Sequence, residues 1–115
     1  MSSPKQREDF NTLLVECIHE TIVTLLSLQV AEALYKRLET NYSISKDEIP
    51  YRLEALLSTL KNTFGASAKI LEKEISKKFY SRLGLNFSNT RQRTLIEYVE
   101  QAKLMLQSHS ASTER

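Results

Sequence analysis

The chain of 115 residues holds only two glycines and two prolines. Average usage would supply roughly three times as many. These are the residues that let a backbone turn tightly or stop an element. A chain so poor in both is built from long elements with few joints, and the hydrophobic spacing makes those elements helices. Pro4 lies in the N-terminal segment and Pro50 near a helix start, while Gly65 and Gly84 each follow a stretch of helical periodicity. The expected fold class is all-α, a compact bundle of four to five helices.

Length sets one domain as the expectation, residues 7–107. A polar, flexible arm, residues 1–6, would precede it, and a small polar disordered tail, 108–115, would follow. The apolar fraction of 41% is enough for one core. A chain this short can also leave apolar surface over, which points to a protein partner or a homodimer. The longest nearly apolar run, Ile22–Leu28, falls short of the ~20 residues a bilayer needs. Met1–Phe10 is charged and carries no apolar signal segment. No membrane association is expected, and the compartment expected is the cytoplasm. Cys17 is the single cysteine, so no intramolecular disulfide can form. The sequons at Asn41 and Asn86 are read as chance. A net charge of +2, with both signs interspersed, argues against a strong general nucleic-acid binder. It leaves room for a local basic patch.

Periodicity starts near Arg7. Phe10, Leu13, Leu14, Cys17, Ile18, Thr21, Ile22 and Leu25 cover an arc wide enough to touch more than one neighbour. A second stripe follows at Val30, Ala31, Leu34, Tyr35, Leu38 and Tyr42. Either a bend near Ser27 or one continuous helix joins the two. A joint falls at Asn41–Asp47. Ser45-x-x-Glu48 has capping-box spacing, but Asp47 as N-cap places Pro50 in the first turn, where its missing N–H costs nothing. Asp47 is therefore the expected cap. The third helix carries Ile49, Leu53, Leu56, Leu57, Leu60 and Phe64 on one stripe. Gly65 suits a left-handed position closing it. A fourth helix runs from about Ser67 to Leu83, with Ala68, Leu71, Ile75, Phe79 and Leu83 inward. Gly84 ends it, and Leu85 and Phe87 tuck onto the bundle. Asn89 or Thr90 would cap a fifth helix reaching about Gln107. Leu95, Tyr98, Val99, Ala102, Met105 and Leu106 form its stripe.

Four segments resemble a known family. They are Leu34-Tyr35-Lys36-Arg37-Leu38, Glu48-Ile49-Pro50, Phe64-Gly65-Ala66-Ser67-Ala68-Lys69-Ile70-Leu71-Glu72 and Tyr80-Ser81-Arg82-Leu83-Gly84. In this order they are similar to a small helical archaeal module, the nitrososphaeral output domain, over roughly residues 15 to 105. Leu28 stands where that family often has glycine. The resemblance implies a non-enzymatic regulatory or interaction module of signal transduction, with no cofactor and no catalytic residue.

The residues themselves carry little chemistry. Glu16, His19 and Glu20 share a helix face. A metal would need more ligands, so the reading is a solvated face, with a ligand set completed by a second chain as the alternative. Cys17, with Leu13, Leu14 and Thr21 around it and no fixed cation, reads as a small core residue rather than an activated thiol. Glu72 and Glu74 among Lys73, Lys77 and Lys78 read as ordinary helix pairing, as in Glu74 with Lys78. No catalytic, cofactor or metal set and no small-molecule substrate is inferred.

Two features stay open. Lys69, Lys73 and Lys77 form a basic row with Tyr80 beside it, either soluble surface or a track for phosphates. Arg91 and Arg93 would fall in the first turn of the fifth helix, where the dipole disfavours cations. They either hold an anion with the free N–H groups there or belong to a loop before a later helix start. Together these five residues support the alternative of weak, non-specific nucleic-acid binding. Ile70, Ile96 and Leu104, off their helices' main stripes, are candidates for a partner surface.

Overall fold

The computed structural model describes the backbone of residues 2–89 and 93–113 and the side chains of residues 10–89 and 93–107. It contains α1 (Ser2–Leu25), α2 (Leu28–Tyr42), α3 (Leu53–Phe64), α4 (Ala68–Leu83) and α5 (Leu95–Thr113). A 3-10 helix, Lys46–Tyr51, joins α2 to α3, and a single 3-10 turn, Gly65–Ser67, joins α3 to α4. No strand occurs among the described residues. The fold is the all-α bundle the sequence implies.

The helices pack in a closed ring. α1 lies against α2 and α4, α2 against α3, and α3 against α4, while α5 rests on α3 and α4. Most of the apolar stripe residues face inward. Leu14, Cys17, Ile18 and Ile22 of α1 meet Ala31, Leu34 and Leu38 of α2 in one core with Leu56, Leu60, Leu71, Ile75, Phe79, Leu95, Val99 and Ala102. At this depth each aliphatic side chain contributes about 1.5–3 kcal/mol relative to exposure. Leu57 is only half-buried, unlike its neighbour Leu56.

The joints follow local chemistry. The chain bends at Ser27 instead of running on as one helix. Ser27 is extended, and its hydroxyl accepts from the Val30 N–H at 3.1 Å, an N-cap that starts α2. Ser43 takes the left-handed conformation, φ +57°, and closes α2. The expected cap at Asp47 is not the one used. The Glu48 carboxylate accepts from the Ser45 N–H at 2.7 Å in a Ser45–Glu48 capping box that opens the 3-10 helix. Pro50 sits within that short helix, and α3 begins only at Leu53. A 3-10 segment tolerates the missing donor because few of its groups are bonded along the chain.

Gly65 has positive φ, as its place after Phe64 suggested, but not the left-handed geometry. Its angles, φ +60° and ψ −130°, are those of the first central residue of a type II′ turn. Gly84 does take the left-handed form, φ +74° and ψ +24°, and ends α4. α3 and α4 are thus separate helices packed on each other, and their stripes are buried within one chain.

Both end segments are helical in backbone. α1 begins at Ser2 rather than near Arg7, because Pro4 falls in the first turn, where no N–H is needed. α5 continues to Thr113, since neither glycine nor proline follows Gln107 to stop it.

The fifth helix starts later than Asn89 or Thr90. Thr94 Oγ1 accepts from the Glu97 N–H at 3.2 Å, and the Glu97 carboxylate accepts from the Thr94 N–H at 2.9 Å. This complete capping box fixes Leu95 as the first helical residue. The segment before it is pinned by aromatic packing. Phe87 lies 5.6 Å from the Tyr80 ring and 5.0 Å from that of Tyr98. The Tyr80 hydroxyl donates to the Tyr98 carbonyl at 2.6 Å, and the Tyr98 hydroxyl to the Ser88 carbonyl at 3.1 Å.

Candidate functional site

Between α1 and α4 lies an open groove of ≈ 410 Å³. Thr21, Thr24 and Leu25 form one wall, and Glu74, Lys77 and Ser81 the other. Its floor is braced by ion pairs. The Arg82 guanidinium pairs with Glu20 and stands 3.9 Å from Glu16, while Lys78 Nζ is 3.8 Å from Glu20. Arg82 at the far end of α4 thus reaches Glu16 and Glu20, and Glu74, two turns earlier, lines the groove together with Thr24 and Leu25. The two helices therefore run antiparallel here. Such half-exposed pairs are worth ~0–1 kcal/mol each, but they fix which α4 cations are already engaged.

The apolar surface collects at one end of this groove. Leu25 and Leu28 are 50% exposed and Leu26 43%, all at the corner between α1 and α2. Ile70, 60% exposed, is one turn before Glu74, so the antiparallel run brings it to the Leu25 end. Leu25 is expected in the core and is instead solvent-facing, because α1 ends there and the chain turns off at Ser27. The aliphatic corner is a feature that periodicity missed, since the bend at Ser27 lifts Leu25 and Leu28 away from the interior.

The basic row is half as expected. Lys69, Lys73 and Lys77 are exposed and make no ion pair or hydrogen bond among the described residues. Tyr80 is not beside them. It is buried under α5, and burial raises its hydroxyl pKa above the ordinary phenol value. The row therefore has no exposed ring on which a base could stack. Lys78 pairs with Glu20 on α1 rather than with Glu74.

Arg93 belongs to the loop before α5, with its guanidinium 5.6 Å from the centre of the Tyr98 ring. Arg91 lies outside the described residues. At the α5 N-terminus two carboxylates already take backbone donors: Glu97 accepts from the Thr94 N–H, and Glu72 from the Leu95 N–H at 3.0 Å. Ile70, Ile96 and Leu104 do not form one surface. Ile96 is half-buried on the core. Leu104 is exposed beside Lys103, whose ammonium lies 5.9 Å from the Phe10 ring, well along α1 from Leu25.

His19 is not on a solvated face. Its Nδ1 is 2.8 Å from the Tyr35 hydroxyl, and the two rings stack at 5.8 Å. Glu16 and Glu20 are turned to Arg82 instead. Among the described residues, no group of three or more metal-binding side chains is gathered. Cys17 is fully buried, and burial raises its thiol pKa above the usual value, with Arg82 pulling the other way. The expectation that it has no cation nearby needs that correction. Among the described residues, no helix is long and apolar enough to cross a membrane.

No protein-family model matches the chain, and no curated protein and no solved structure matches it.

Proposed function

We propose that this chain is a non-enzymatic interaction module, cytoplasmic and regulatory in role, that docks a partner protein at the open end of the α1–α4 groove. One observation carries the reading: Leu25, Leu26 and Leu28 are exposed together at the α1–α2 corner, and Ile70 is exposed in the first turn of α4, the end that the antiparallel run turns toward Leu25. Scattered exposed leucines are ordinary, but a contiguous patch beside a groove is the usual mark of an interface. Six of the acidic side chains are in structural use. Glu48, Glu72 and Glu97 cap helices, Glu54 pairs with Arg52, and Glu16 and Glu20 hold Arg82. That disposition suits a scaffold rather than acid–base chemistry. The role agrees with what the resemblance to archaeal output domains implies.

The test is position-resolved. A benzophenone amino acid replaces Leu28 or Ile70 in the full chain, expressed in the native cell, with Glu39 on α2 as the remote control. Irradiation is expected to give polypeptide adducts from positions 28 and 70 and none from 39. Adducts to nucleic acid alone, or equal yields from all three positions, would overturn the reading. A homodimer band from 28 and 70 would assign the surface to a second copy.

A further inference from the structure

We infer that the groove's partner is an acidic amphipathic helix, its apolar face against Leu25, Leu28 and Ile70 and its carboxylates against Lys73 and Lys77. The inference rests on the reading of the chain as a protein-interaction module and names the chemistry of what it binds.

The phase of α4 groups three of its exposed side chains. Ile70, Lys73 and Lys77 are spaced i, i+3 and i+7, so they stand on one face of the helix. Lys77 lines the groove, and Ile70, two turns before it on the same face, is exposed beyond the lining, toward the start of α4. The cations of α4 divide into two sets. Lys78 and Arg82 are shared with Glu16 and Glu20. Among the described residues Lys69, Lys73 and Lys77 have no carboxylate partner and Glu74 no cation, so three free ammonium groups stand against one free carboxylate. The face beside the aliphatic corner thus carries surplus positive charge that the fold does not use.

A trough between two antiparallel helices is the shape into which a third helix packs. An amphipathic helix enters such a groove through apolar residues at i, i+3 or i+4, and i+7. Here the apolar anchor points are at one end and the free ammonium groups run along one rim. Carboxylates on the incoming helix would complement that rim, steering encounter and fixing direction. A nucleic-acid backbone matches the lysines but leaves Leu25, Leu28 and Ile70 against water. Helix insertion accounts for both features at once.

The experiment is a selection of random 16-residue peptides displayed on yeast, sorted for binding to the full chain. The expected winners carry net negative charge and an apolar i, i+3/i+4, i+7 pattern. Their affinity should fall roughly tenfold or more with Leu25→Glu and with Lys73→Glu combined with Lys77→Glu. It should persist with Lys77→Arg and with Lys36→Glu on α2. All these residues are exposed or half-exposed, and thermal melts confirm that each variant stays folded. Neutral or basic winners, or acidic winners indifferent to the lysine changes, would overturn this inference and leave the protein-interaction reading standing. Failure to enrich any peptide over the display scaffold would overturn both. Tighter binding to anionic phosphatidylglycerol vesicles or to single-stranded oligonucleotide than to every selected peptide would also overturn the inference.

Discussion

The side chain of Glu72, in the second turn of α4, accepts a hydrogen bond from the backbone N–H of Leu95, the first residue of α5, at 3.0 Å. A carboxylate here satisfies a donor with no intrahelical partner and faces the positive end of the helix dipole. It also ties the helix to its neighbour. Removing it by Glu72→Ala should cost about 0.5–2 kcal/mol in urea denaturation. Glu72→Gln keeps an acceptor and should cost less. Amide exchange at Leu95 should quicken in the alanine variant well beyond exchange in α2.

The two glycine joints separate by their ψ angles. Space is open around both, so any penalty comes from the backbone alone. Gly65→Ala and Gly84→Ala should each destabilise by roughly 1 kcal/mol or more. Asparagine tolerates the left-handed region of Gly84, so Gly84→Asn should recover part of the loss. It has no such ease at φ +60°, ψ −130°, so Gly65→Asn should be no better than Gly65→Ala. Thermal melts of the four variants check this directly.

Thr21 and Thr59 are both buried on helices, yet only one hydroxyl is satisfied. Thr59 donates to the Ala55 carbonyl at 2.9 Å, while Thr21 Oγ1 has no partner among the described residues. An unpaired buried hydroxyl costs about 1–3 kcal/mol. Thr21→Val should leave stability unchanged or raise it, and Thr59→Val should not raise it. Denaturation midpoints at equal slope report the difference.

Tyr35 links stability to alkaline pH. Burial pushes its hydroxyl pKa from the ordinary value near 10 up to about 12. The folded state therefore holds the proton where the unfolded chain has lost it. The stabilisation is complete below pH 10 and is lost as pH rises from 10 through about 12. The stability difference between the natural chain and Tyr35→Phe should be flat below pH 10 and decline above it. Urea titrations across that range measure it.

The helices and most of the core were legible because their signals are local and periodic. Leu71, Ile75 and Phe79 repeat on one face of α4 and are buried together. The start of α5 was also written in the chain. Thr94-x-x-Glu97 has the same spacing as Ser45-x-x-Glu48, and the apolar stripe begins at Leu95, but reading Asn89 or Thr90 as the cap places the helix start too early. Other features belong to the tertiary fold. Lys78 has Glu74 one turn away on its own helix, yet it turns to Glu20 because α1 lies alongside. Tyr80 follows the lysine row on a helical wheel, but a wheel does not say which face a fifth helix will cover. The groove required knowing that α1 ends at Leu25 and that α4 runs back past it.

The proposed docking surface stands on the antiparallel run of α1 and α4 that brings Leu25 and Ile70 to one end. Pairs of cysteines in a Cys17→Ser background, bridged by a short bis-maleimide at low protein concentration, test it directly. Leu25→Cys with Ile70→Cys should give a fast intramolecular link, and Thr12→Cys with Ile70→Cys should not. Faster linking of the Thr12 pair, or linking of the Leu25 pair only between molecules, would contradict the arrangement on which the proposed surface stands.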